Sequence, residues 1–296
     1  MSKWIIGVDA GGTKCKASLF NAAGDEIASS TTGPANLFSD FQGAIASIML
    51  ACEQVLLASG HHIKPEQCAL SIGAAGASVG SVQKKMQAWQ HPFASMQIHS
   101  DLHISCIAAN DTQPCVMIIV GTGSSVAIFN NNEVAQFGGH GFLLGDEASG
   151  AWLGRKAVQW YLHMLEQLIP NTEKVQNHAL ERALAKVLGN DIDAIIEMYG
   201  KANAATFASL VPTLLACHEQ SANVQEWVEQ GARYFASIIR HHANDLPIFI
   251  DGGLAGLYTP ILTKMLTRSA GVPKKSATYG AYLCVNKSET LSQKFA

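Results

Sequence analysis

The chain has 296 residues, of which 48% are hydrophobic and 15% are charged, and its net charge is −3. So apolar a composition excludes intrinsic disorder, and the lack of a clustered basic stripe argues against nucleic acid as a partner. Because one domain usually has roughly 150 residues, the length predicts two domains, each with its own core.

The cysteines and the first residues bear on the cellular compartment. Seven cysteines are an odd number, and no two of them are separated by only two residues, so we expect neither a disulfide framework nor a zinc ribbon. Asp9 interrupts the first apolar stretch too early for a signal peptide, and we find no run of about 18 apolar residues elsewhere. We therefore expect a cytoplasmic protein with no membrane partner.

The first part of the chain predicts a β-hairpin followed by alternating strands and helices. Residues 5–21 contain two strands joined by a glycine-rich turn, and residues 26–28 form a third short strand. The patterns that follow are helix 44–58, strand 68–72, helix 83–90 and strand 96–99. This order predicts a mixed sheet with crossover helices.

The second part of the chain opens with a copy of that hairpin. A shift of 109 residues superposes Gly12-Thr13 on Gly121-Thr122, and a third short strand recurs at residues 133–135. Helical patterns follow at 149–168, 173–188, 204–220 and 224–243, and a strand at 247–250 precedes a glycine pair. The repeat predicts two similar β-rich units that begin near residues 4 and 115.

The glycine-rich turns indicate a phosphate site. Residues 11–13 (Gly-Gly-Thr) and 121–124 (Gly-Thr-Gly-Ser) offer backbone N–H groups for an anion-binding nest, together with a hydroxyl donor. Two such turns at equivalent places in a repeat can clamp one triphosphate from both sides. Neither turn is a Walker P-loop or a Rossmann fingerprint. Ligands of such sheets bind beyond the carboxyl ends of the strands, where Asp101 and residues 251–253 also fall.

With these motifs the chain resembles the actin-like ATPase superfamily of sugar kinases, within it the N-acetylglucosamine kinase group and its bacterial glucosamine kinase branch. Residues 7–15 (GVDAGGTKC) and 120–124 (VGTGS) resemble the two phosphate motifs of the family, and residues 246–254 (LPIFIDGGL) resemble its adenosine motif. Residues 140–149 (HGFLLGDEAS) resemble the segment that closes over the sugar, and residues 91–95 (HPFAS) point to the glucosamine branch.

The resemblance implies an α/β fold with two duplicated ribonuclease H-like domains and a cleft between them. The first domain would span residues 1–115 and the second residues 116–296, with the last helix able to pack back on the first domain. The cleft would hold ATP, Mg²⁺ and a hexosamine. The residues implied for ATP and its phosphates are Gly11, Gly12, Thr13, Lys14, Gly121, Thr122, Gly123, Ser124, Gly252 and Gly253.

Two aspartates are implied in the chemistry, and each has a simpler alternative. Asp9 would hold Mg²⁺ through water, since carboxylates and phosphates are its usual ligands; its alternative is an aspartate that starts a turn. Asp101 would be the catalytic base for the sugar 6-hydroxyl. The alternative for Asp101 is a helix N-cap, although Ile104 in place of an acidic residue removes the capping box.

The resemblance also implies a set of sugar contacts. Asn36 lies in a loop like the family's sugar-binding loop, and its amide can both donate and accept, although an asparagine used for a turn is the alternative. Asp146 would bind ring hydroxyls. Together with the base Asp101, Thr122 and Gly123, these residues complete the expected sugar site. His140 resembles part of a zinc element in neighbouring sugar kinases, but the cysteine-rich loop is missing, so we assign no histidine to a metal.

The function that follows is an ATP-dependent hexosamine kinase that prefers glucosamine, with N-acetylglucosamine as the alternative substrate. Leu143 or Leu144 could fill the space that an acetyl group needs. Two other classes stay open: an ATPase activator of the kind that holds an iron-sulfur cluster between subunits, and a sugar-binding protein without catalysis. A homodimer is expected as the default for soluble enzymes.

Overall fold

The computed structural model describes residues 4–131, 133–286 and 292–293. Its first sheet is built from the predicted hairpin and two parallel strands. The strands are β1 Trp4–Ala10, β2 Cys15–Asn21, β3 Glu26–Thr32, β4 Cys68–Ala74 and β5 Ser95–Ser100, in the order β3-β2-β1-β4-β5. The hairpin pairs are antiparallel, whereas β1, β4 and β5 run parallel. The carboxyl ends of β1, β4 and β5 therefore lie at one edge.

Both faces of the first sheet are covered by helices, in agreement with the predicted crossover pattern. These helices are α1 Phe41–Ala58, α2 Gly80–Gln87 and α3 Asp101–Ala109. Helix α1 is long and apolar enough to cross a membrane by length and composition. It packs against β2 and β3 instead, with Ala44, Ile48 and Val55 in the core. Its apolar composition is therefore explained by its packing in the core of the first sheet.

The second sheet repeats the topology of the first. Its strands are β6 Cys115–Val120, β7 Ser124–Asn130, β8 Glu133–Gly138, β9 Ile248–Asp251, β10 Ala270–Gly271 and β11 Ser292–Gln293, in the order β10-β9-β6-β7-β8-β11. Without β11, this order matches β5-β4-β1-β2-β3 strand for strand. The predicted α/β fold with two duplicated sheets is confirmed.

Nine helices complete the described part of the chain. They are α4 Gly150–Leu165, α5 Asn171–Gln176, α6 His178–Leu188, α7 Ile192–Tyr199, α8 Ala204–Ala208, α9 Val211–Ala216, α10 Ala222–His242, α11 Ala255–Leu266 and α12 Ala277–Asn286. Two of the predicted long helices are broken. The helix predicted at 173–188 breaks at the buried Asn177, whose Oδ1 accepts hydrogen bonds from Ser221 Oγ and Asn223 N. The helix predicted at 204–220 restarts at Val211, because Pro212 fits only the first turn of a helix.

The last helix returns to the first sheet. Helix α12 packs against α3 and β1, and the hydroxyl groups of Thr278 and Ser18 share a buried hydrogen bond of 3.0 Å. The approach is close, because a Cβ at Gly280 would collide with the carbonyl of Ile104 and one at Gly7 with the carbonyl of Thr278. The division of the chain at residues 115 and 116 stays a prediction.

Candidate active site

A cavity of about 620 Å³ lies where turns from both sheets meet. Eight of the predicted site residues line it: Asp9, Thr13, Lys14, Asp101, Gly121, Thr122, Gly252 and Gly253. Helices contribute other parts of the wall, among them α4 through Gly150 and α12 through Ala277. Six predicted residues are not among the lining residues: Gly11, Gly12, Asn36, Gly123, Ser124 and Asp146. The structure thus brings both phosphate turns and both candidate catalytic carboxylates to one space.

The turn between β1 and β2 is closed by its own backbone. Gly11 N donates to Lys14 O over 2.9 Å, and Gly11 O accepts from Ala35 N over 2.9 Å. Thr13 and Lys14 are exposed and border the cavity. A Cβ at Gly12 would meet no atom within 4 Å, so packing does not require glycine there. What glycine provides at this position is open backbone that a phosphate can approach.

The turn between β6 and β7 is held by the start of helix α4. Gly121 N donates to Gly123 O over 2.9 Å, and its own carbonyl accepts from Gly150 N over 2.7 Å. Ala151 N donates to Thr122 O over 3.1 Å. These two N–H groups belong to the first turn of α4, where a helix leaves donors without internal partners. The helix terminus therefore fixes the turn and leaves the Thr122 side chain exposed to the cavity.

The turn after β9 needs its first glycine for steric reasons. Gly252 has a φ of 105°, and a Cβ at this position would collide with the carbonyl of Val120. That carbonyl also accepts a hydrogen bond of 3.0 Å from Leu254 N. The turn is thereby attached to the end of β6, and a Cβ at Gly121 would lie 3.8 Å from Gly253 N. Two glycine turns from distant parts of the chain border the same end of the cavity.

Three carboxylates converge on the cavity. Burial is the main cause that raises the pKa of Asp9 to about 6, and the nearby Asp101 and Asp251 raise it further while Lys14 and Lys16 lower it. Burial also raises the pKa of Asp101. A buried carboxyl group whose pKa is raised by two neighbouring acids lacks compensating positive charge, and oxygen donors of this kind suit a hard divalent cation. The residues present therefore fit Mg²⁺.

Asp251 is a site residue that the sequence reasoning placed at the ligand-binding edge but to which it gave no role. It ends β9, borders the cavity and accepts a hydrogen bond of 2.7 Å from Gly252 N on Oδ1. The available signal was its place between a buried apolar strand and a glycine pair. Asp251 lies near Asp9 because the carboxyl ends of β9 and β1, which belong to different sheets, face the same cavity.

Asp101 is the first residue of helix α3, and it does not cap that helix. The N-cap is Ser100, whose Oγ accepts a hydrogen bond of 3.0 Å from His103 N. Asp101 Oδ1 accepts a 2.9 Å hydrogen bond from Leu102 N, and the residue lines the cavity. The capping alternative for Asp101 is therefore wrong, while its role as the base stays a prediction.

Two predicted sugar contacts are engaged in local structure. Asn36 Oδ1 accepts hydrogen bonds from Phe38 N over 2.9 Å and from Ser39 N over 3.1 Å, so its oxygen serves the turn that was the alternative. Asp146 is buried at a φ of 60°.

The carboxylate of Asp146 holds its own segment in place. It accepts hydrogen bonds from the backbone N–H groups of Gly141 and Ser124, and burial, followed by the charge of Glu147, raises its pKa. Ser124 Oγ in turn donates to the carbonyl of Glu147. These contacts tie residues 141–147 to the turn between β6 and β7, and they occupy both the hydroxyl and the N–H of Ser124.

Comparison with known proteins points to one family. The model of the BadF/BadG/BcrA/BcrD ATPase family matches residues 6–269. The chain is 26% identical over 301 residues to glucosamine kinase GspK of Vibrio cholerae, covering 97% of each chain. It is 29% identical over 190 residues to the N-acetyl-D-glucosamine kinase of Dictyostelium discoideum, covering 60% of each.

A solved structure from Chromobacterium violaceum, provisionally assigned as an N-acetylglucosamine kinase, superposes on the present one with a TM-score of 0.83. The two chains are 25% identical, and the match covers 95% of this chain and 98% of the other. The similarity therefore extends over nearly the whole of both chains.

Proposed function

This chain belongs to the BadF/BadG/BcrA/BcrD ATPase family, and we propose that it is an ATP-dependent kinase that phosphorylates the 6-hydroxyl of an amino sugar. The observation that carries the proposal is the shared cavity, in which Asp101 lies with the glycine turns of both sheets. Phosphoryl transfer requires positioning and charge stabilisation more than covalent chemistry, and a cavity lined in this way can provide both.

The nucleotide is bound through backbone and short side chains. The turn with Gly11, Gly12, Thr13 and Lys14 faces the phosphates from the first sheet, and the turn with Gly121 to Ser124 faces them from the second. Gly252 and Gly253 border the adenosine end. Lys14 adds a positive charge that offsets phosphate, while open backbone at Gly12 allows close approach.

Magnesium is held by the carboxylates of the cavity. Asp9, through water, and Asp251 are its proposed ligands, because their carboxyl groups meet with too little positive charge around them. When bound, Mg²⁺ neutralises developing charge on the phosphate oxygens.

Asp101 acts as the base. Its partly buried carboxylate accepts the proton of the sugar hydroxyl as that oxygen attacks the terminal phosphate. The raised pKa of Asp101 strengthens it as a proton acceptor. The hydrogen bond from Leu102 N holds one carboxylate oxygen and orients the group at the start of α3.

Glucosamine is the proposed preferred sugar, with N-acetylglucosamine as the alternative. Support for glucosamine comes from the relative that covers 97% of the chain and bears that name. Asn36, Asp146, Thr122 and Gly123 are the proposed sugar contacts. Leu143 and Leu144 are each 83% exposed, so they fill no acetyl pocket in this conformation, and discrimination by these side chains requires closure of their segment.

The two alternative functions, an ATPase activator and a sugar-binding protein without catalysis, have less support. An activator with an iron-sulfur cluster between subunits needs accessible cysteines, and all seven cysteines of the chain are buried. Sugar binding without catalysis does not require a cluster of carboxylates such as Asp9, Asp101 and Asp251. A cytoplasmic location and a homodimer remain part of the proposal.

One coupled assay tests the proposed function. ADP formation is measured with saturating ATP and Mg²⁺ and with glucosamine, N-acetylglucosamine, glucose or no sugar. We expect turnover that depends on the amino sugar and a kcat/KM ratio of glucosamine to N-acetylglucosamine above one. A ratio below one would reverse the substrate preference. A rate of ADP formation that is the same with and without sugar would overturn the kinase assignment.

A further inference from the structure

Three side chains with metal-binding atoms meet next to the start of helix α3. His99 lies on β5, His103 in the first turn of α3 and Cys284 on α12, and each offers one ligand atom within 4.8 Å of the other two. None of them is among the residues that line the cavity of the proposed kinase site. The function described so far leaves this cluster unexplained.

The imidazole of His103 is buried without a partner. It is 1% exposed, and neither ring nitrogen has a hydrogen bond to any residue that the structure describes. His99 Nε2 has only a 3.5 Å contact with Gln97 Oε1, at the outer limit for a hydrogen bond. A buried polar group without a partner is costly, and nearly all such groups in native proteins are satisfied. A buried imidazole without a hydrogen-bond partner, next to a second imidazole and a thiol, indicates a binding site for a ligand.

We propose that His99, His103 and Cys284 form a binding site for one zinc-like transition-metal ion. Two imidazole nitrogens and one thiolate are donors for Zn²⁺, whereas Mg²⁺ takes oxygen donors. The site is therefore chemically distinct from the carboxylates around Asp9. Burial lowers the pKa of His99 to about 4 and that of His103 to about 3, so both rings are neutral near pH 7. Binding displaces the thiol proton of Cys284 to solvent.

The three side chains need a small adjustment to bind an ion. Bonds of about 2.0–2.1 Å to nitrogen and about 2.3 Å to sulfur put tetrahedral ligands roughly 3.3–3.6 Å apart. The rings of His99 and His103 are stacked with centroids 4.8 Å apart at 15°, so one ring must tilt toward the other. His99 can do so because it is only half-buried on the edge strand β5. His99 is also the member of the cluster with solvent exposure, whereas His103 and Cys284 are buried.

Occupation of the site would join three elements, two of which, α3 and α12, line the kinase cavity. The ion would hold β5, α3 and α12 together, and Asp101 lies between the two histidines in sequence. Helix α12 also contributes Ala277 to the cavity wall. We expect metal binding to stabilise the packing of α12 on the first sheet.

Cobalt is the probe that tests the site, because its spectrum shows both geometry and thiolate ligation. The full chain is stripped with a chelator and titrated with Co²⁺, and Zn²⁺ is then added in competition. We expect intense visible bands of tetrahedral Co²⁺ and a thiolate charge-transfer band, with one equivalent bound and Zn²⁺ displacing it. Zn²⁺ should also raise Tm. An octahedral spectrum, or no thiolate band, would overturn the proposal.

Variants identify the ligands. Cys284→Ser should abolish the thiolate band. His99→Gln, at a half-buried position, should weaken Zn²⁺ binding at least about 100-fold, because even outer-shell partners are worth about 10- to 100-fold. Cys217→Ser, at another buried cysteine, should change neither the spectrum nor the affinity. A thiolate band that persists in Cys284→Ser, or unchanged affinity in His99→Gln, would reject these ligands.

Discussion

The carboxylate of Asp146 lies against Gly123 so closely that a Cβ at Gly123 would stand 2.8 Å from Asp146 Oδ2. The glycine is required there because Asp146 is buried and held by the N–H groups of Gly141 and Ser124. Residues 141–147 and the turn between β6 and β7 are thereby fixed relative to each other.

Gly123→Ala should therefore displace Asp146 and lower kcat/KM for the amino sugar at least about tenfold, since misplacement of about 1 Å can cost about 100-fold. The measurement is steady-state kinetics with either substrate varied. The matched control is Gly256→Ala on α11, where a Cβ would meet no atom within 4 Å. If both variants keep wild-type kinetics, the contact between Asp146 and Gly123 has no part in activity.

Asp101→Asn and Ser100→Ala should separate catalysis from helix capping. Loss of the proposed base should lower turnover about 10²- to 10⁴-fold, with the fold retained because Ser100 supplies the cap. Ser100→Ala should cost about 0.5–2 kcal/mol of unfolding free energy. Turnover and urea denaturation of both variants check this division, and Asp101→Asn with turnover within threefold of wild type would contradict the role of Asp101.

The raised pKa of Asp9 makes a prediction about stability and pH. With a pKa of about 6 in the folded chain against an ordinary value of 3.8, the folded state holds a proton more tightly than the unfolded state. The favourable contribution is complete below pH 3.8 and is lost as the pH rises through about 6. Asp9→Asn should thus stabilise the ligand-free protein at pH 8, by at most ~3 kcal/mol for two pKa units.

The measurement is Tm of wild type and Asp9→Asn from pH 4 to pH 8 without Mg²⁺ or nucleotide. The stabilisation should shrink toward pH 4, and Asp25→Asn, at an exposed position outside the cavity, is the control. Equal Tm differences at all pH values would contradict the shift. In wild type, Mg²⁺ should also bind more weakly below about pH 6, because the proton and the cation compete for Asp9.

Two exposed leucines lie in the segment that we propose to cover the sugar, and they predict closure of the cleft. Leu143 and Leu144 are each 83% exposed, so replacing both with serine should leave Tm nearly unchanged. If the segment closes over the sugar, the double variant should raise the sugar KM several-fold, because the apolar surface that closure buries is lost. Leu57→Ser on α1, where the side chain is 76% exposed, should change neither quantity.

Small-angle scattering provides an independent check of closure. The radius of gyration should fall when the amino sugar and a non-hydrolysable ATP analogue are both present, because each ligand then gains contacts from both sheets. An unchanged radius, together with an unchanged KM in the leucine variant, would contradict closure.

What the sequence determined by itself is local in origin. Strand alternation, the glycine turns and their repetition 109 residues later depend on backbone preferences within a few residues. For that reason the duplicated sheets and the two phosphate turns could be predicted. The carboxyl-edge rule then located Asp101 and residues 251–253 at one site, and the family resemblance added Asp9.

Only the tertiary structure decided which distant side chains meet. The helix break at Asn177 depends on hydrogen bonds from Ser221 and Asn223, and the place of Asp251 beside Asp9 depends on how the two sheets face each other. Cys284 reaches His99 and His103 because α12 returns to the first sheet. Such contacts are selected by packing across the whole fold, and no short window of residues contains both partners.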